Sequence, residues 1–405
     1  MPRPPIARHR PVLILVTFLV LTSAQLAGAQ ESPSPSVPPQ ATSAPQATDA
    51  PPAAPTAGIT WKINTKGQDF DKDPIATGVT QGPDGMVYIA GLVLDKAGVP
   101  TVAFWYSEDL KRWTRSLIDD PPGSGAVAIV TNPKVPEQAL MEGAKPGTGG
   151  FSAIGVSTEG ALVWSWADER RWVSQVVPEV SFADLTISDA ALHAVGQLEP
   201  GPEGKPAMWS APDTFTWTGS TISAPGQAAS PGQAQAVALA PDGTFVVAGS
   251  ITDTDGTAQI AVWQSTDGTV WTPVESEGLA GLTSIGALEW TPVGFVLAAS
   301  ENQEGTGRGV VLVSTDGLQW QTSLEVADDR ITALGYTGTD VIAFGADRTW
   351  QSADAETWLE TSVPEFRGYS VGAVTTLKDG RLVAVGRLEG QKGAKIATWV
   401  GKVAP

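Results

Sequence analysis

Acidic side chains in the connections between apolar strands are the groups of this sequence best placed for chemistry. Asp119 and Asp120 stand in one connection, Asp328, Asp329 and Arg330 in another, and Asp71 and Asp73 precede the first long apolar run. Two carboxylates on opposite loops suffice for hydrolysis of a glycosidic bond, so that reaction stays open. Composition closes most others. There is no cysteine, hence no thiol nucleophile, no zinc–thiolate site and no disulfide. Of the two histidines, His9 lies in the leader described below and His193 in the apolar stretch Ala191-Leu-His-Ala-Val, where a ring is expected as a satisfied core residue. A single histidine supports neither a Ser/His/Asp triad nor a transition-metal centre. Asp253-Thr-Asp255-Gly256 opens like a calcium loop but has no glutamate at the twelfth position, which makes it a solvated turn. No catalytic residue, metal site or cofactor is assigned.

Residues 1–29 have the order of a secretory signal: Arg3, Arg8 and Arg10, an apolar run over 12–21, then Ala27-Gly28-Ala29 with cleavage expected before Gln30. The apolar run falls short of the roughly 20 residues that cross a bilayer. The mature chain is therefore expected to lack a membrane span and to be secreted or associated with the cell wall. Without the three leader arginines it carries 22 basic and 43 acidic residues, a net charge of −21. Such a surface repels phosphate backbones, which argues against nucleic acid as a partner. Residues 30–57 contain eight prolines among Ala, Ser, Thr and Gln, a disordered linker by composition.

The elements that must position any site are marked by a repeat. Six times the chain places Trp four residues after Asp: Asp109/Trp113, Asp168/Trp172, Asp213/Trp217, Asp267/Trp271, Asp316/Trp320 and Asp354/Trp358. Four residues before each Asp stands Trp105, Trp164, Trp209, Trp263, Leu312 or Trp350. Trp399 near the C-terminus and Trp61 near residue 58 supply the two halves of a seventh copy, so 13 of the 15 tryptophans belong to the repeat. Upstream of each unit, pairs of short apolar runs flank turns such as Pro241-Asp-Gly243 and Asp379-Gly380, a hairpin signal. Four strands per unit, with no helical period between them, describe propeller blades. The expected fold is all-β: residues 58–405 form a seven-bladed β-propeller of four antiparallel strands per blade, with the last blade closed by the N-terminal strand.

Ser265-Thr-Asp267-Gly268-Thr-Val-Trp271 and Ser314-Thr-Asp316-Gly317-Leu-Gln-Trp320 resemble the Asp-box, or BNR repeat, of sialidase-like propellers, shortened by one residue. Ser107-Glu-Asp109 and Ser352-Ala-Asp354 keep Ser and Asp without the glycine. The resemblance implies structural turns, with the carboxylate accepting backbone N–H groups. A sialidase would also imply three arginines, a Tyr/Glu nucleophile pair, an acid Asp, six blades and an early Phe/Tyr-Arg-Ile-Pro signature. That signature is absent; Phe366-Arg367-Gly368-Tyr369 is a late, partial echo.

Loop lengths then suggest where a partner docks. Blade 2, with its second strand taken to end at Gly143, has a 21-residue span to Trp164, and its insertion Lys145-Pro-Gly-Thr-Gly-Gly-Phe151 is expected on the ligand face. The candidate binding residues are Phe151, Asp119, Asp120, Asp328, Asp329, Arg330, Phe366 and Arg367. The expected function is a non-catalytic, monomeric exported propeller that binds a protein or glycan. The alternatives are a glycoside hydrolase or lyase using loop carboxylates, and an assembly scaffold for an exported complex.

Overall fold

The computed structural model describes residues 58–64, 70, 74–116, 118, 123–132, 150–168, 171–224, 226, 229–252, 256, 258–301, 307–388 and 395–403. Their strands form seven four-stranded antiparallel sheets, arranged as a propeller ring. The chain opens with β1 (Ile59–Asn64), which belongs to the last blade. Blade 1 comprises β2 (Pro74–Gln81), β3 (Val87–Leu94), β4 (Pro100–Ser107) and β5 (Thr114–Arg115). Blade 2 comprises β6 (Gly125–Asn132), β7 (Gly150–Ser157), β8 (Gly160–Asp168) and β9 (Arg171–Val177). Blade 3 comprises β10 (Val180–Ile187), β11 (Leu192–Leu198), β12 (Lys205–Ala211) and β13 (Thr218–Thr221). Blade 4 comprises β14 (Gly232–Leu239), β15 (Phe245–Thr252), β16 (Ala258–Ser265) and β17 (Thr272–Pro273). Blade 5 comprises β18 (Ser284–Thr291), β19 (Gly294–Ser300), β20 (Gly309–Ser314) and β21 (Gln321–Val326). Blade 6 comprises β22 (Ala333–Tyr336), β23 (Val341–Phe344), β24 (Arg348–Ser352) and β25 (Leu359–Ser362). Blade 7 is β26 (Tyr369–Thr376), β27 (Leu382–Leu388) and β28 (Ile396–Val403), completed by β1, whose register with β28 runs from Ile59↔Val403 to Asn64↔Thr398.

The core is divided among the gaps between blades. Each cluster of buried side chains draws on two adjacent sheets, and around the ring every gap has one. Between blades 3 and 4, for example, Val195, Met208 and Ile222 meet Val247, Trp263 and Trp271. Between blades 6 and 7, Ile342, Phe344 and Phe366 meet Trp61, Ala384 and Trp399. The tryptophan that opens each outer strand thus reaches back to the preceding blade. At about 150–250 Å² of buried surface per ring, it is the largest side chain joining the sheets.

The turns before these tryptophans are closed by their aspartates. Asp267 Oδ1 accepts the N–H groups of Thr269 (2.8 Å) and Val270 (2.9 Å), and Asp109, Asp213, Asp316 and Asp354 do the same in their blades. Backbone donors lower the carboxyls of Asp109 and Asp267 to about 2. The residue after the aspartate adopts positive φ: 72° at Gly268 and 75° at Gly317, but also 60° at Leu110 and 54° at Ala355.

Six of the seven inner strands carry a β-bulge, after Ala76, Ala126, Phe182, Ala234, Ile285 and Val371. A carbonyl of the bulged strand leans over the neighbouring strand, where only glycine leaves room. A Cβ on Gly91 would lie 1.9 Å from the Ile75 oxygen, and one on Gly155 would lie 2.1 Å from the Gly125 oxygen.

Gly155 also corrects the sequence reading of blade 2. It, not Gly143, is the glycine of the second strand, so residues 133–149 join the first and second strands. This insertion therefore leaves the face opposite the one expected; its own structure lies outside the described residues. The turn between the second and third strands of blade 2 is a short hairpin through Thr158 and Glu159.

Candidate functional site

Antiparallel pairing sends the second-to-third-strand connections and the links between blades to one face of the ring, and the other turns to the opposite face. The first of these faces holds most of the sequence candidates, and the structure separates them. Asp119 and Asp120 lie outside the described residues. Asp328 is an exposed turn residue at φ 57°. Asp329, in the link between blades 5 and 6, is buried and tied to blade 6, accepting the N–H groups of Arg330 (2.8 Å) and Ala346 (3.2 Å) and pairing with Arg348 at 3.1 Å. Arg330 is half-buried beside it. Arg367 is exposed and pairs with Asp347 at 3.1 Å.

Both aromatic candidates require correction. Phe366 is fully buried, with ring centroids 5.3 Å from Trp61 and 5.0 Å from Trp399. Phe151 is buried at the start of β7, 3.9 Å from the Tyr88 ring, and belongs to the end of the blade away from that face. Neither presents a ring to a ligand. His193 is a satisfied core residue: Ser188 Oγ lies 2.9 Å from Nε2, Ser210 Oγ lies 2.8 Å from Nδ1, and burial lowers the ring to about 4.

The remaining charges of this face interlock. Arg348 joins Asp329 to Glu360 (3.6 Å), with its guanidinium 5.2 Å from the Trp350 ring centroid. Arg308 joins Glu301 (2.7 Å) to Glu325 (3.0 Å). Across blades 5 to 7 the rim is therefore a series of cross-linked connections. Among the described residues no group of three or more His, Cys, Asp or Glu could hold a metal ion.

Sequence reasoning missed the pair at the axis. The inner strands enclose a channel of about 520 Å³, walled mostly by Ala, Gly, Val and Leu. Two ionisable side chains line it, Asp184 on β10 and Glu289 on β18. Asp184 is the first residue after its bulge, where five other blades have Gly78, Ala128, Ala236, Ala287 and Ala373. Glu289 lies two residues further along its own strand, about 7 Å nearer the opposite face at ~3.3 Å per residue. Aligning the repeats on their inner strands, rather than on the outer tryptophans, would have exposed both acids as departures from small or neutral residues.

Asp184 Oδ2 accepts the N–H of Val237 on the next blade (2.9 Å), and Oδ1 accepts the N–H of Leu185 (2.8 Å). Enclosure nevertheless raises its carboxyl to about 6, outweighing the two donors. Glu289 has no hydrogen-bond partner in the described structure and rises to about 7, first through enclosure and then through the charge of Asp184. Its side chain keeps accessible surface on the lumen. Protein surrounding the lumen, rather than loss of all water contact, is what disfavours its charge.

No family model matches the sequence, and no curated protein matches it. Among solved structures, the chain is similar to the extracellular domain of BT4673 from B. thetaiotaomicron, with 9% identity and a TM-score of 0.52 over 85% of this chain and 40% of that one. It is also similar to a protein of unknown function from Dyadobacter fermentans, with 12% identity and a TM-score of 0.49 over 86% of this chain and 100% of that one. Penicillium chrysogenum α-L-arabinanase, solved with arabinobiose, gives 14% identity and a TM-score of 0.48 over 81% of this chain and 92% of that one. Likeness at these identities concerns the propeller fold and carries no ligand or activity with it. The resemblance to Asp-box repeats accordingly rests on the turns themselves.

Proposed function

We propose that this protein is an exported, non-catalytic propeller that binds a protein or glycan partner through the face bearing Asp329, Arg348 and Arg367. The leader-like residues 1–29 and the proline-rich residues 30–57 support export and display at the cell envelope. The observation that carries the binding reading is the interlocked rim. Arg348, Asp329 and Glu360, with Arg367 and Asp347 beside them, neutralise one another and hold three connections in place. Acids tied to arginines in this way are poor proton donors to a substrate. A stiffened polar rim, by contrast, offers fixed hydrogen-bonding groups to a docking surface.

No helix among the described residues is long and apolar enough to cross a membrane. The test is a glycan array and an envelope-polysaccharide pull-down with the purified protein, each followed by chromatography for released sugars. Retention without released product, weakened by Arg348→Ala or Arg367→Ala, is the expected result. Time-dependent release of sugar would replace this reading with a hydrolase or lyase.

A further inference from the structure

The axial channel is separate from the rim and independent of its partner. Its volume of about 520 Å³ is far larger than a bare ion requires and falls within the roughly 300–1,000 Å³ range of small-molecule sites. Most of its accessible wall is polar: consecutive residues of the inner strands line it with their backbone, together with the side chains of Thr77, Thr186 and Gln235. No cationic side chain lines it, and Asp184 and Glu289 are its only titratable groups among the described residues. Each inner strand pairs on one side only, so its other row of backbone N–H and C=O groups faces the axis. The Glu289 carboxylate is unpartnered, and each oxygen of Asp184 uses one lone pair and keeps another for a further donor.

We propose that the central channel binds a small organic amine, with its ammonium group held by Asp184 and Glu289 and the rest of its chain in the lumen between the inner strands. Charge selects a cation, and the volume, far beyond that of a bare ion, selects an organic one. The absence of a third metal-ligating side chain among the described residues argues in the same direction. Because the two acids hold protons more tightly than free carboxyls, an ammonium that binds the ionised pair displaces a proton to solvent. Binding is therefore linked to pH.

The probe is 1,5-diaminopentane, titrated calorimetrically into the purified protein at pH 8, with 1,5-pentanediol as the uncharged control. Saturable one-to-one binding of the diamine and none of the diol is expected. Affinity should fall about tenfold per pH unit below pH 7, as Glu289 takes up its proton. Glu289→Gln should weaken binding at least tenfold, and Asp184→Asn should weaken it while keeping an acceptor for the Val237 N–H. Thermal melts of both variants at pH 8, at or above that of the parent, show that the loss is not unfolding. Equal binding of the diol, diamine binding unchanged in both variants, or saturable binding of calcium but not of the diamine would each overturn the proposal.

Discussion

Asp184 and Glu289 are the carboxyls, among the described residues, that the fold shifts upward, and this gives stability a definite pH dependence. A carboxyl raised in the folded state, from 4.5 to about 7 for Glu289, makes the folded protein bind more protons than the unfolded chain across that window. The contribution of Glu289 to stability therefore falls as pH rises from about 4.5 to 7. Asp109 and Asp267, held near 2 by backbone donors, act in the opposite sense: their contribution is present above 3.8 and is lost as pH falls toward 2. His193, lowered from 6.5 to about 4 by burial, opposes the two raised carboxyls: its contribution is present above 6.5 and is lost as pH falls toward 4. Glu289→Gln should remove the larger part of the decline caused by the raised carboxyls and leave the share that Asp184 contributes between about 3.8 and 6. The gain at pH 8 should be roughly 1–2 kcal/mol, reduced from the full linkage value because lumen water screens an accessible group. Urea unfolding of both proteins at pH 5 and pH 8 measures this, and a constant difference at the two pH values would contradict it.

At the scale of turns and strands, two chemically identical glycines have different costs of replacement. Gly268 and Gly317 both occupy left-handed backbone, at φ 72° and 75°, so a methyl group costs about 1 kcal/mol from conformation alone. A Cβ on Gly268 would meet Met208 at 3.4 Å, an ordinary contact, whereas on Gly317 it would meet Val246 at 2.6 Å. Gly268→Ala should therefore cost about 1 kcal/mol and Gly317→Ala about 2 kcal/mol or more, read as shifts in urea midpoint. Equal losses would place the strain elsewhere. These turns were legible in the sequence because aspartate, glycine and tryptophan recur at fixed spacing. The bulged inner strands were not. Their signal is a glycine one strand away, as Gly155 is to the bulge after Ala126, and it reads as a generic strand end. For that reason the blade 2 insertion was assigned to the wrong face. Phe151 and Phe366 were misplaced for a related reason: each adjoins a loop in sequence, yet the adjacent strand or short 3₁₀ turn carries its ring inward.

For the whole molecule, ring closure is the feature on which the fold depends most. The seventh blade holds its outer edge only because β1 pairs with β28 over six residues, and Trp61 carries that contact into the gap with blade 6. Its ring lies 5.4 Å from Phe344 and 5.3 Å from Phe366, side chains contributed by the preceding blade and by the connection after it. Removing the indole alone, as in Trp61→Ala, should cost about 3–5 kcal/mol through the cavity left among these rings. Deleting residues 58–64 removes the same ring together with the pairing of β28, so it should cost more. The melting temperature is then expected to fall by about 10 °C, as a single shifted transition if the ring melts as a unit. The deletion also leaves β28 with a free edge, an open template for another strand. The truncated protein should therefore self-associate in a concentration-dependent way, measurable by light scattering on a sizing column. A truncated protein that stayed monomeric and melted with the parent would mean that blade 7 closes without β1, and that the split tryptophan repeat has no part in holding the ring together.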